Sequence, residues 1–356
     1  MRNVRETAYR EGSVRQKMAE VLLEVKNLHT DFITEERTVQ AVNDVSFQIR
    51  RGETFGLIGE SGCGKSVTCR SLIRLVKHPG KITGGEILYQ GKNLLEYSEK
   101  EMRGIRGKEI GMIFQDPMTT LNPILTIKTQ LVESLKDEKM TKKEKEERAL
   151  ELLRLVGIPS PKERLACYPH QFSGGMRQRA MIAIALASRP RLLLADEPTT
   201  ALDVTIQDQI IRLLKRLKRE LDMSLVLVTH DLGVASQMCD YIAVMYAGKI
   251  METARAEVIF ERPRNPYTYG LMRSIPSIAQ KGKKLYSING APPNLNDMPK
   301  GCPFSPRCEF CEERCKKEMP PLVQVEPGHF SRCHCAEKME HIKGRTRPEE
   351  GGALYA

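Results

Sequence analysis

The feature that most constrains this chain is the run GESGCGKS at residues 59–66. It fits the phosphate-loop pattern G-x-x-x-x-G-K-[ST] at every fixed position. A strand-like apolar run, 54–59, leads into it, and a helix-like run, 67–76, follows it. A glycine-rich turn without a ligand would rarely meet all of these conditions at once. The sequence therefore predicts a strand–loop–helix unit that binds nucleotide phosphates.

The residue types in this loop suit the binding of phosphate. Glycines let the backbone turn so that several N–H groups converge on one anion, and the N-terminus of the following helix adds a positive dipole end. We expect Lys65 to reach the terminal phosphates and the Ser66 hydroxyl to ligate Mg²⁺. We interpret Cys63 as a small filler of the loop rather than a nucleophile. The residues expected to bind nucleotide here are Gly59, Ser61, Gly62, Cys63, Gly64, Lys65, Ser66 and Val67.

Length and composition indicate one large α/β domain and a smaller appendage. Of the 356 residues, 40% are hydrophobic, which is enough for a substantial core. No apolar run reaches the ~18–20 residues that spanning a bilayer requires. The polar segment 1–17 also lacks the apolar stretch of a signal peptide. We therefore expect a cytosolic protein in which residues 1–18 are a disordered extension, either native or left from cloning.

The formal net charge is +11. A balance this basic is compatible with nucleic acid, with anionic lipid headgroups or with an anionic ligand. The sequence has no nucleic-acid-binding motif, only 5% aromatic residues, and no basic stripe interleaved with aromatics. The lysine-rich stretch 136–148 alternates with glutamates, which is typical of a solvated helix face. We therefore predict no nucleic-acid partner.

Strand-like and helix-like runs alternate along most of the chain. Apolar runs predict strands at 21–25, 45–49, 54–58, 86–89, 110–114, 191–195, 225–228 and 242–245. Helical patterns cover 141–156, 175–188 and 206–221. This alternation implies an α/β fold with a parallel sheet and helices on both faces. After about residue 263 the chain becomes rich in Pro, Asn, Gly and Cys, which marks a domain boundary.

Two carboxylates, Asp196 and Glu197, follow the buried strand predicted at 191–195. The carboxyl ends of parallel strands are where an open α/β sheet binds its ligand. We expect Asp196 to hold Mg²⁺, directly or through water, and Glu197 to accept a proton from an attacking water. The alternative is an acidic pair that merely begins a loop.

Upstream of these carboxylates the chain reads FSGGMRQR at residues 172–179. This run resembles the signature motif L-S-G-G-Q of the ATP-binding cassette (ABC) family. Ser173, Gly174 and Gly175 match the motif, whereas Phe172 and Met176 depart from it in the first and last positions. The Ser-Gly-Gly centre is the part that faces phosphate, so the resemblance implies a second anion-binding turn here.

Other elements of the ABC family follow in the expected order. Gln115 matches the glutamine loop, residues 201–203 match the loop after the acidic strand, and His230 matches the switch histidine. Phe32 is placed like the aromatic residue that stacks on adenine. Alone, each of these residues would be an ordinary loop or core residue. Together they imply ATP as the nucleotide, with catalytic residues Gln115, Glu197 and His230, and with Mg²⁺ held by Ser66, Gln115 and Asp196.

The resemblance implies an α/β phosphate-loop NTPase domain at 19–262, with a mixed or parallel sheet flanked by helices and a helical subdomain at about 116–185. Two such domains would stack head to tail with two ATPs between them. The phosphate loop of one would then face the Ser173-Gly174-Gly175 turn of the other. Hydrolysis would remove the γ-phosphate contacts and let the pair open. His230 would contact the γ-phosphate and help to align the water with Glu197.

One cassette and no long heptad region make the chain resemble a transporter subunit rather than a soluble repair or translation ATPase. Residues 262–268, 274–276 and 301–308 resemble the C-terminal extension of peptide-importer ATPases, a branch that serves dipeptides, oligopeptides and in some members nickel. The implied partners are two membrane permeases, a second ATPase subunit and, indirectly, an extracytoplasmic peptide-binding protein. The chain would lie at the cytoplasmic face of the membrane, with a permease docked at 121–133.

The sequence leaves several points of this interpretation open. Nickel import and a soluble, non-transport ABC ATPase are the alternative functions. Peptide length is open because selection lies mainly in the binding protein and the permeases. A homodimer and a heterodimer with a sister subunit fit the same motifs.

Ten cysteines are many for a cytosolic chain, and six of them lie within 302–335. Disulfides are disfavoured there, and clustered thiols more often bind metal. Zinc and an iron–sulfur cluster both use four thiolates, and free thiols remain a further alternative. The family resemblance points to a [4Fe–4S] cluster, with Zn²⁺ as the alternative and with Cys311, Cys335 and His334 as spare candidates. The implied ligands are Cys302, Cys308, Cys315 and Cys333.

The extension at 263–340 is too short and too poor in apolar residues to build its own core. A bound metal would therefore have a structural role, since it would fasten these loops together. The chain then ends in a polar segment, 341–356, that is predicted to be disordered.

Overall fold

The computed structural model describes residues 20–135, 139–200, 202–275, 286–342 and 344. The predicted extension 1–18, Ala201 and most of the predicted tail 341–356 lie outside the described residues. Two β-sheets with helices packed around them make up the described part. None of the described helices has the length and apolar character needed to cross a membrane.

The elements are numbered in chain order. The strands are β1 (Val21–Ile33), β2 (Thr38–Arg50), β3 (Thr54–Ile58), β4 (Gly80–Tyr89), β5 (Lys92–Asn93), β6 (Ile110–Ile113), β7 (Leu192–Asp196), β8 (Ser224–Thr229), β9 (Tyr241–Tyr246), β10 (Lys249–Arg255), β11 (Val323–Glu326) and β12 (His329–Ser331). The α-helices are α1 (Lys65–Leu72), α2 (Glu99–Ile105), α3 (Pro117–Thr120), α4 (Ile127–Ser134), α5 (Lys142–Leu155), α6 (Pro161–Leu165), α7 (Gly174–Ala185), α8 (Val204–Glu220), α9 (Leu232–Met238), α10 (Ala256–Glu261), α11 (Pro266–Arg273) and α12 (Glu313–Lys317).

The larger sheet has the strand order β11-β12-β10-β9-β3-β8-β7-β6. Adjacent strands from β9 to β6 run parallel, and β3, β6, β7 and β8 are buried over their whole length. Their continuous apolar sequences follow from this position, because helices cover both faces of a parallel sheet. The predicted α/β fold is confirmed.

The register of the parallel strands brings three chain segments to one edge of the sheet. Ile58, the last residue of β3, lies level with Thr229, and Asp196 lies level with Val228. The phosphate loop, Glu197 and His230 each follow directly after one of these strands. The fold therefore places the three predicted site segments side by side.

A second, antiparallel sheet has the order β2-β1-β4-β5. The sequence predicts only short pieces of it, such as 21–25, whereas β1 continues to Ile33. Strand β1 continues through its polar residues because it pairs with β2 on one side and with β4 on the other. Apolar side chains of this sheet form a core with α1 and the main sheet, including Leu23, Val42, Leu57 and Leu72.

Helices α4, α5, α6 and α7 pack on one another, and α7 also packs on β6. Helix α5 begins where the sequence predicts, because Thr141 and Glu144 form a reciprocal capping box. Buried residues of this helical region, among them Leu152 and Met181, belong to the same core as the outer face of the main sheet. The helical region thus carries the signature turn at the start of α7 on a rigid support.

The C-terminal segment continues the main sheet. Strand β12 pairs with β10, with Ser331 opposite Glu252, and β11 pairs with β12. The buried Glu252 and His329 side chains meet at 2.7 Å within this junction. The sequence pattern does not reveal β11 and β12, since they are only four and three residues long. The segment is therefore joined to the ATPase region by backbone pairing as well as by side chains.

Candidate nucleotide site

The phosphate loop joins β3 to α1, and its glycines are required by close backbone contacts. A Cβ at Gly59 would lie 2.1 Å from the carbonyl oxygen of Met245. At Gly64, which precedes α1 with φ +105°, a Cβ would lie 2.3 Å from the carbonyl oxygen of Ala41. Other residue types are excluded at both positions by these contacts and, at Gly64, by the positive φ.

Lys65 lies inside the loop, with only 4% of the residue exposed. Its Nζ donates hydrogen bonds to the carbonyl oxygens of Gly59 and Glu60, both at 2.8 Å. The cationic end is thus held on the concave side of the loop by the loop's own backbone. Cys63 is buried with its Sγ 3.8 Å from this Nζ, and burial raises the pKa of the thiol, in line with its interpretation as a filler.

Ser66 and Asp196 form a second pair beside the loop. The Ser66 hydroxyl donates to Oδ1 of the fully buried Asp196 at 2.7 Å. The other oxygen, Oδ2, is buried and accepts no hydrogen bond, and its nearest cation is the Arg70 guanidinium at 3.9 Å. Burial raises the pKa of Asp196. A buried carboxylate oxygen without a partner beside a serine hydroxyl suits a hard divalent cation.

Glu197 follows β7 with φ +47° and lies at the centre of a small network. Its Oε2 accepts hydrogen bonds from Gln115 Nε2 at 3.0 Å and Thr200 Oγ1 at 2.8 Å. Its Oε1 lies 3.4 Å from His230 Nδ1. The hydrogen bond with His230 is the main reason that the pKa of Glu197 falls to about 2, and the same contact raises the pKa of His230. Glu197 is therefore in contact with both of the other predicted catalytic residues, Gln115 and His230.

The Ser173-Gly174-Gly175 turn faces solvent at the start of α7. The Ser173 side chain caps the helix by accepting from Met176 N at 3.4 Å, and Ser173 and Gly174 are exposed. Phe172, the first departure from the signature pattern, is buried in the core. No hydrogen bond among the described residues joins this turn to the phosphate loop. The turn is thus presented outward, away from contact with its own chain's loop.

Comparison with known proteins decides the family. Residues 42–200 match the family model for "ABC transporter", and residues 251–315 match the model for "Oligopeptide/dipeptide transporter, C-terminal region". The chain is 52% identical over 316 residues to the dipeptide transport ATP-binding protein DppD of Bacillus subtilis, covering 88% of this chain and 94% of that protein. This chain belongs to the ABC transporter family. The predicted membership is confirmed, and the chain is an ABC-type ATPase.

Two further relatives support the assignment. The oligopeptide transport ATP-binding protein OppD of Salmonella typhimurium is 48% identical over 316 residues, covering 88% of this chain and 94% of that protein. Among solved structures, the ATP-binding cassette MJ0796, described as dimeric in a post-hydrolysis state bound to ADP and Pi, superposes with a TM-score of 0.60 at 32% identity. That similarity covers 66% of this chain and 98% of the other.

The remaining predicted residues of the ABC site lie at its margins. Phe32 is partly exposed on β1, opposite Val39 of β2 and Gly80 of β4. Val67 is partly buried in the first turn of α1. In the loop after the acidic strand, Ala201 lies outside the described residues, whereas Asp203 caps α8 by accepting from Ile206 N at 2.9 Å.

Some residues of the ABC site were not identified from the sequence. Thr200 binds Glu197, and its position three residues after the carboxylate is a local signal that could have revealed it. Gln178 donates to the carbonyl oxygen of Pro198 at 2.6 Å, which links the signature helix to the end of β7. Two residues of the C-terminal segment, Tyr267 and Arg307, contact Glu60 of the phosphate loop. No short-range sequence pattern predicts these contacts.

The C-terminal cysteines surround one cavity. Burial is the main cause that raises the pKa of Cys302 to about 11 and that of Cys308 to about 12, and neighbouring thiols add to it. Among the described residues, no group of three or more His, Cys, Asp or Glu side chains is arranged so that it could hold a metal ion. The metal group at these cysteines therefore stays a prediction. The thiols that line the cavity are Cys302, Cys308, Cys315, Cys333 and Cys335. The four predicted ligands are thus brought together, while Cys311 lies outside this lining.

Proposed function

We propose that this chain is the nucleotide-binding subunit of an importer for dipeptides or oligopeptides, and that its ATP hydrolysis drives transport. The main support is that one chain contains both a phosphate-binding site and a peptide-transporter segment. The phosphate loop and the acidic end of β7 are joined by hydrogen bonds within the chain. Residues 251–315 match the C-terminal region of oligopeptide/dipeptide transporters. Relatives about half identical over most of their length are named dipeptide and oligopeptide transport ATP-binding proteins. The domain bounds we propose are 19–262 and 263–340.

In the hydrolytic step Glu197 accepts the proton of the attacking water. Its carboxylate is ionised and is oriented by Gln115, Thr200 and His230, which is the arrangement that a positioned general base needs. The negatively charged phosphates raise the pKa of a carboxylate beside them, which makes it a stronger base. Lys65 and the loop N–H groups stabilise charge on the phosphate oxygens, and His230 contacts the γ-phosphate.

Ser66 and Asp196 would hold Mg²⁺, and Gln115, which hydrogen-bonds to the neighbouring Glu197, would be the third ligand. The support is the buried Oδ2 of Asp196, which accepts no hydrogen bond, and the adjacent Ser66 hydroxyl. When bound, the ion neutralises charge on the β- and γ-phosphates. Such a cation would stabilise Asp196, because burying a carboxylate oxygen without a hydrogen bond is costly.

A second ATPase subunit supplies the other half of each site. Ser173 and Gly174 are exposed at the N-terminus of a full-length helix, where they present N–H groups outward. Val204, next to the Asp203 cap, is 75% exposed and adds apolar surface at the start of α8. Burying this surface against a partner would satisfy both features.

A membrane permease docks on the surface beside the glutamine loop. Met118 is 61% exposed and Ile124 is 78% exposed, so this region offers large apolar side chains to solvent. Ile124 lies within the segment 121–133 that we assign to docking, and Met118 lies just before it. Gln115, three residues before Met118, hydrogen-bonds to Glu197. Binding of a permease would thus change the surroundings of the Glu197 carboxylate. We place the protein at the cytoplasmic face of the membrane, held there by the permeases.

The cysteine cavity holds a [4Fe–4S] cluster through Cys302, Cys308, Cys315 and Cys333. Four thiols line one cavity, Cys315 buried and the other three partly buried, and this suits thiolate ligation, since a bound cation offsets the cost of ionising them. The cluster would fasten the loops of the C-terminal segment together.

Transport is tested in proteoliposomes that contain this subunit, its sister ATPase and the permeases, with the binding protein added outside. We expect peptide-loaded binding protein to stimulate phosphate release and to drive labelled peptide inward, and Glu197→Gln to abolish both. Stimulation by nickel but not by peptide would indicate the nickel alternative. An ATPase that neither binds permeases nor responds to them would indicate a non-transport ABC protein and would refute the proposal.

The cluster is tested on protein purified without oxygen. We expect a brown colour with broad visible absorbance and about four irons and four sulfides per chain. Cys308→Ser should lose both, whereas Cys167→Ser, a cysteine outside the segment, should keep both. A colourless protein with one zinc per chain would show that the cysteines bind zinc instead of an iron–sulfur cluster. This result would not affect the transport proposal.

A further inference from the structure

The C-terminal segment contacts the phosphate loop at Glu60, a variable position of the loop pattern. The Glu60 backbone N–H donates to the Tyr267 hydroxyl at 2.9 Å, and its carboxylate accepts two hydrogen bonds from Arg307, at 2.6 and 2.9 Å. Its carbonyl oxygen accepts from Lys65, as described above. Glu60 is therefore held by the catalytic lysine on one side and by two distant residues on the other.

Arg307 is fixed in this position by its surroundings. Its side chain is only 5% exposed, and its Nε donates to the carbonyl oxygen of Asn289 at 3.0 Å. The Nη1 atom also donates to the Tyr246 hydroxyl at 3.2 Å. Every nitrogen of the guanidinium thus has a partner, and the pairing with Glu60 raises the pKa of Arg307. A buried fork of this kind binds a carboxylate with defined geometry.

Aromatic rings anchor the same contact. The rings of Tyr246 and Tyr267 lie 4.6 Å apart between centroids, and Phe304 packs against both at 5.5 and 5.2 Å. Tyr246 ends β9 and Tyr267 lies in α11, so the cluster joins the sheet to the C-terminal helices. The Tyr267 hydroxyl that meets the phosphate loop is held by a rigid, buried ring.

Charge gives this contact a consequence for nucleotide binding. Glu60 places a carboxylate in a loop whose ligand is a polyanion, and like charges at short range oppose binding. The Arg307 guanidinium neutralises that carboxylate. Removing Arg307 would therefore both loosen the loop and leave a negative charge beside the phosphates.

We propose that Arg307 is a positioning residue of the ATP site, which with Tyr267 holds the phosphate loop and neutralises Glu60. ATP affinity then depends on the C-terminal segment, which lies outside the phosphate loop itself. Arg307 lies between Cys302 and Cys308, so the loop that contains two of the clustered thiols also contains the residue that contacts the phosphate loop. The proposal rests on ATP binding at the phosphate loop, but not on the transported substrate or the metal.

The test compares Arg307→Met with a matched control, Arg332→Met, in the full chain. Arg332 is also buried in the C-terminal segment and pairs with Asp44 of the ATPase region at 3.1 Å, but it does not contact the phosphate loop. Binding of a fluorescent N-methylanthraniloyl ATP analogue with Mg²⁺ is measured beside thermal unfolding. We expect both variants to unfold at lower temperature, and Arg307→Met alone to weaken nucleotide binding, by about tenfold or more.

A double-variant cycle separates charge from packing. If Arg307 acts by neutralising Glu60, adding Glu60→Gln to Arg307→Met restores most of the lost affinity. Arg307→Lys keeps the charge and should retain part of the affinity. Tyr267→Phe removes only one oxygen from the buried ring and should weaken binding about threefold, since it leaves the Glu60 N–H unpaired. The last two variants decide the question if Arg307→Met fails to fold.

The outcomes are distinguishable. Equal nucleotide affinity in Arg307→Met and Arg332→Met, with similar unfolding temperatures, would reduce Arg307 to a structural residue and overturn the proposal. So would unchanged affinity in both Arg307→Lys and Tyr267→Phe. Absence of ATP binding by the parent protein would instead refute the assignment of the site itself.

Discussion

The phosphate loop and the Ser173-Gly174-Gly175 turn have similar sequences and opposite surroundings. Both are glycine-containing turns at the start of a helix, where N–H groups can bind an anion. The loop is packed against Met245 and Ala41, and its lysine is buried. The turn is exposed, and the Ser173 hydroxyl accepts a hydrogen bond from the N–H of Met176 in its own helix. The contacts of the phosphate loop thus lie within one chain, whereas we propose that the signature turn acts on another molecule.

This difference also predicts which properties a substitution in each turn should affect. Substitutions in the phosphate loop strain the fold and weaken nucleotide binding in a single subunit. Substitutions in the signature turn should leave the fold and the binding intact and appear only when two subunits close on ATP. The predictions below separate these two kinds of effect.

The largest effect is expected from Glu197→Gln, which alters neither anion-binding turn. Loss of the general base should lower hydrolysis by about 10³-fold, while nucleotide binding remains and ATP-dependent dimers accumulate. Phosphate release and size-exclusion chromatography with ATP measure the two properties. Thr200→Ala is the control, because it removes one hydrogen bond to the carboxylate but keeps the base. Hydrolysis at the parental rate by Glu197→Gln would reassign the base.

Gly174→Asp tests the signature turn. A Cβ at this position would meet only Leu202 Cδ2 at 3.8 Å, so the subunit should fold normally and bind nucleotide as the parent does. The added charge faces the partner's phosphates, and hydrolysis should fall about 100-fold. Mixing this variant with Lys65→Met should leave one site with both turns intact in a mixed dimer. If Gly174→Asp alone weakened nucleotide binding by isolated subunits, the two turns would not be separate as described.

Gly64→Ala should destabilise the folded chain, in contrast to Gly174→Ala. The new methyl group would collide with the carbonyl oxygen of Ala41, and φ at this position is +105°. We expect a loss of about 2 kcal/mol in the free energy of unfolding for Gly64→Ala and less than about 0.5 kcal/mol for Gly174→Ala. Denaturant unfolding of both variants measures the difference. Equal stabilities would show that the loop is less constrained than its contacts indicate.

The smallest effect concerns the pH dependence of the contact between His230 and Glu197. The pKa of His230 is raised, so the protonated ring stabilises the folded chain fully below its ordinary pKa of 6.5. This stabilisation is lost as the pH rises through the raised value. The pKa of Glu197 is lowered to about 2, so its contribution is present above 4.5 and is lost as the pH falls toward 2. The pair therefore stabilises most between about pH 4.5 and pH 6.5.

Because His230 is more than half exposed, the effect should not exceed about 0.5 kcal/mol. We expect His230→Ala to lower the unfolding temperature slightly at about pH 5.5 and not at about pH 8.5. Thermal unfolding of both proteins across this range measures it. A difference that grows above about pH 8 would show that the contact does not depend on a protonated histidine.

Short-range patterns predicted the parts of the molecule that local chemistry fixes. The bounds of β3 and the capping box of α5 follow from a continuous apolar run and from two residues three positions apart. Motif order implied catalytic roles for Gln115, Glu197 and His230, but the contacts that Gln115 and His230 make with Glu197 depend on the parallel register of β6, β7 and β8. The length of β1 and the β11–β12 pair were not predicted, since pairing with distant strands creates them.

By itself, the sequence predicted nucleotide-phosphate binding, because eight adjacent residues contain that chemistry. The ordered motifs and the segments at 262–268, 274–276 and 301–308 indicated the resemblance to a transporter ATPase. Only the tertiary structure decided which polar groups are satisfied within the chain and which face outward. Glu60 and Arg307 are 247 residues apart, and no spacing along the sequence indicates that they meet. Their contact is set by the sheet edge and the aromatic cluster on which they pack, and such long-range packing is a property of the whole fold.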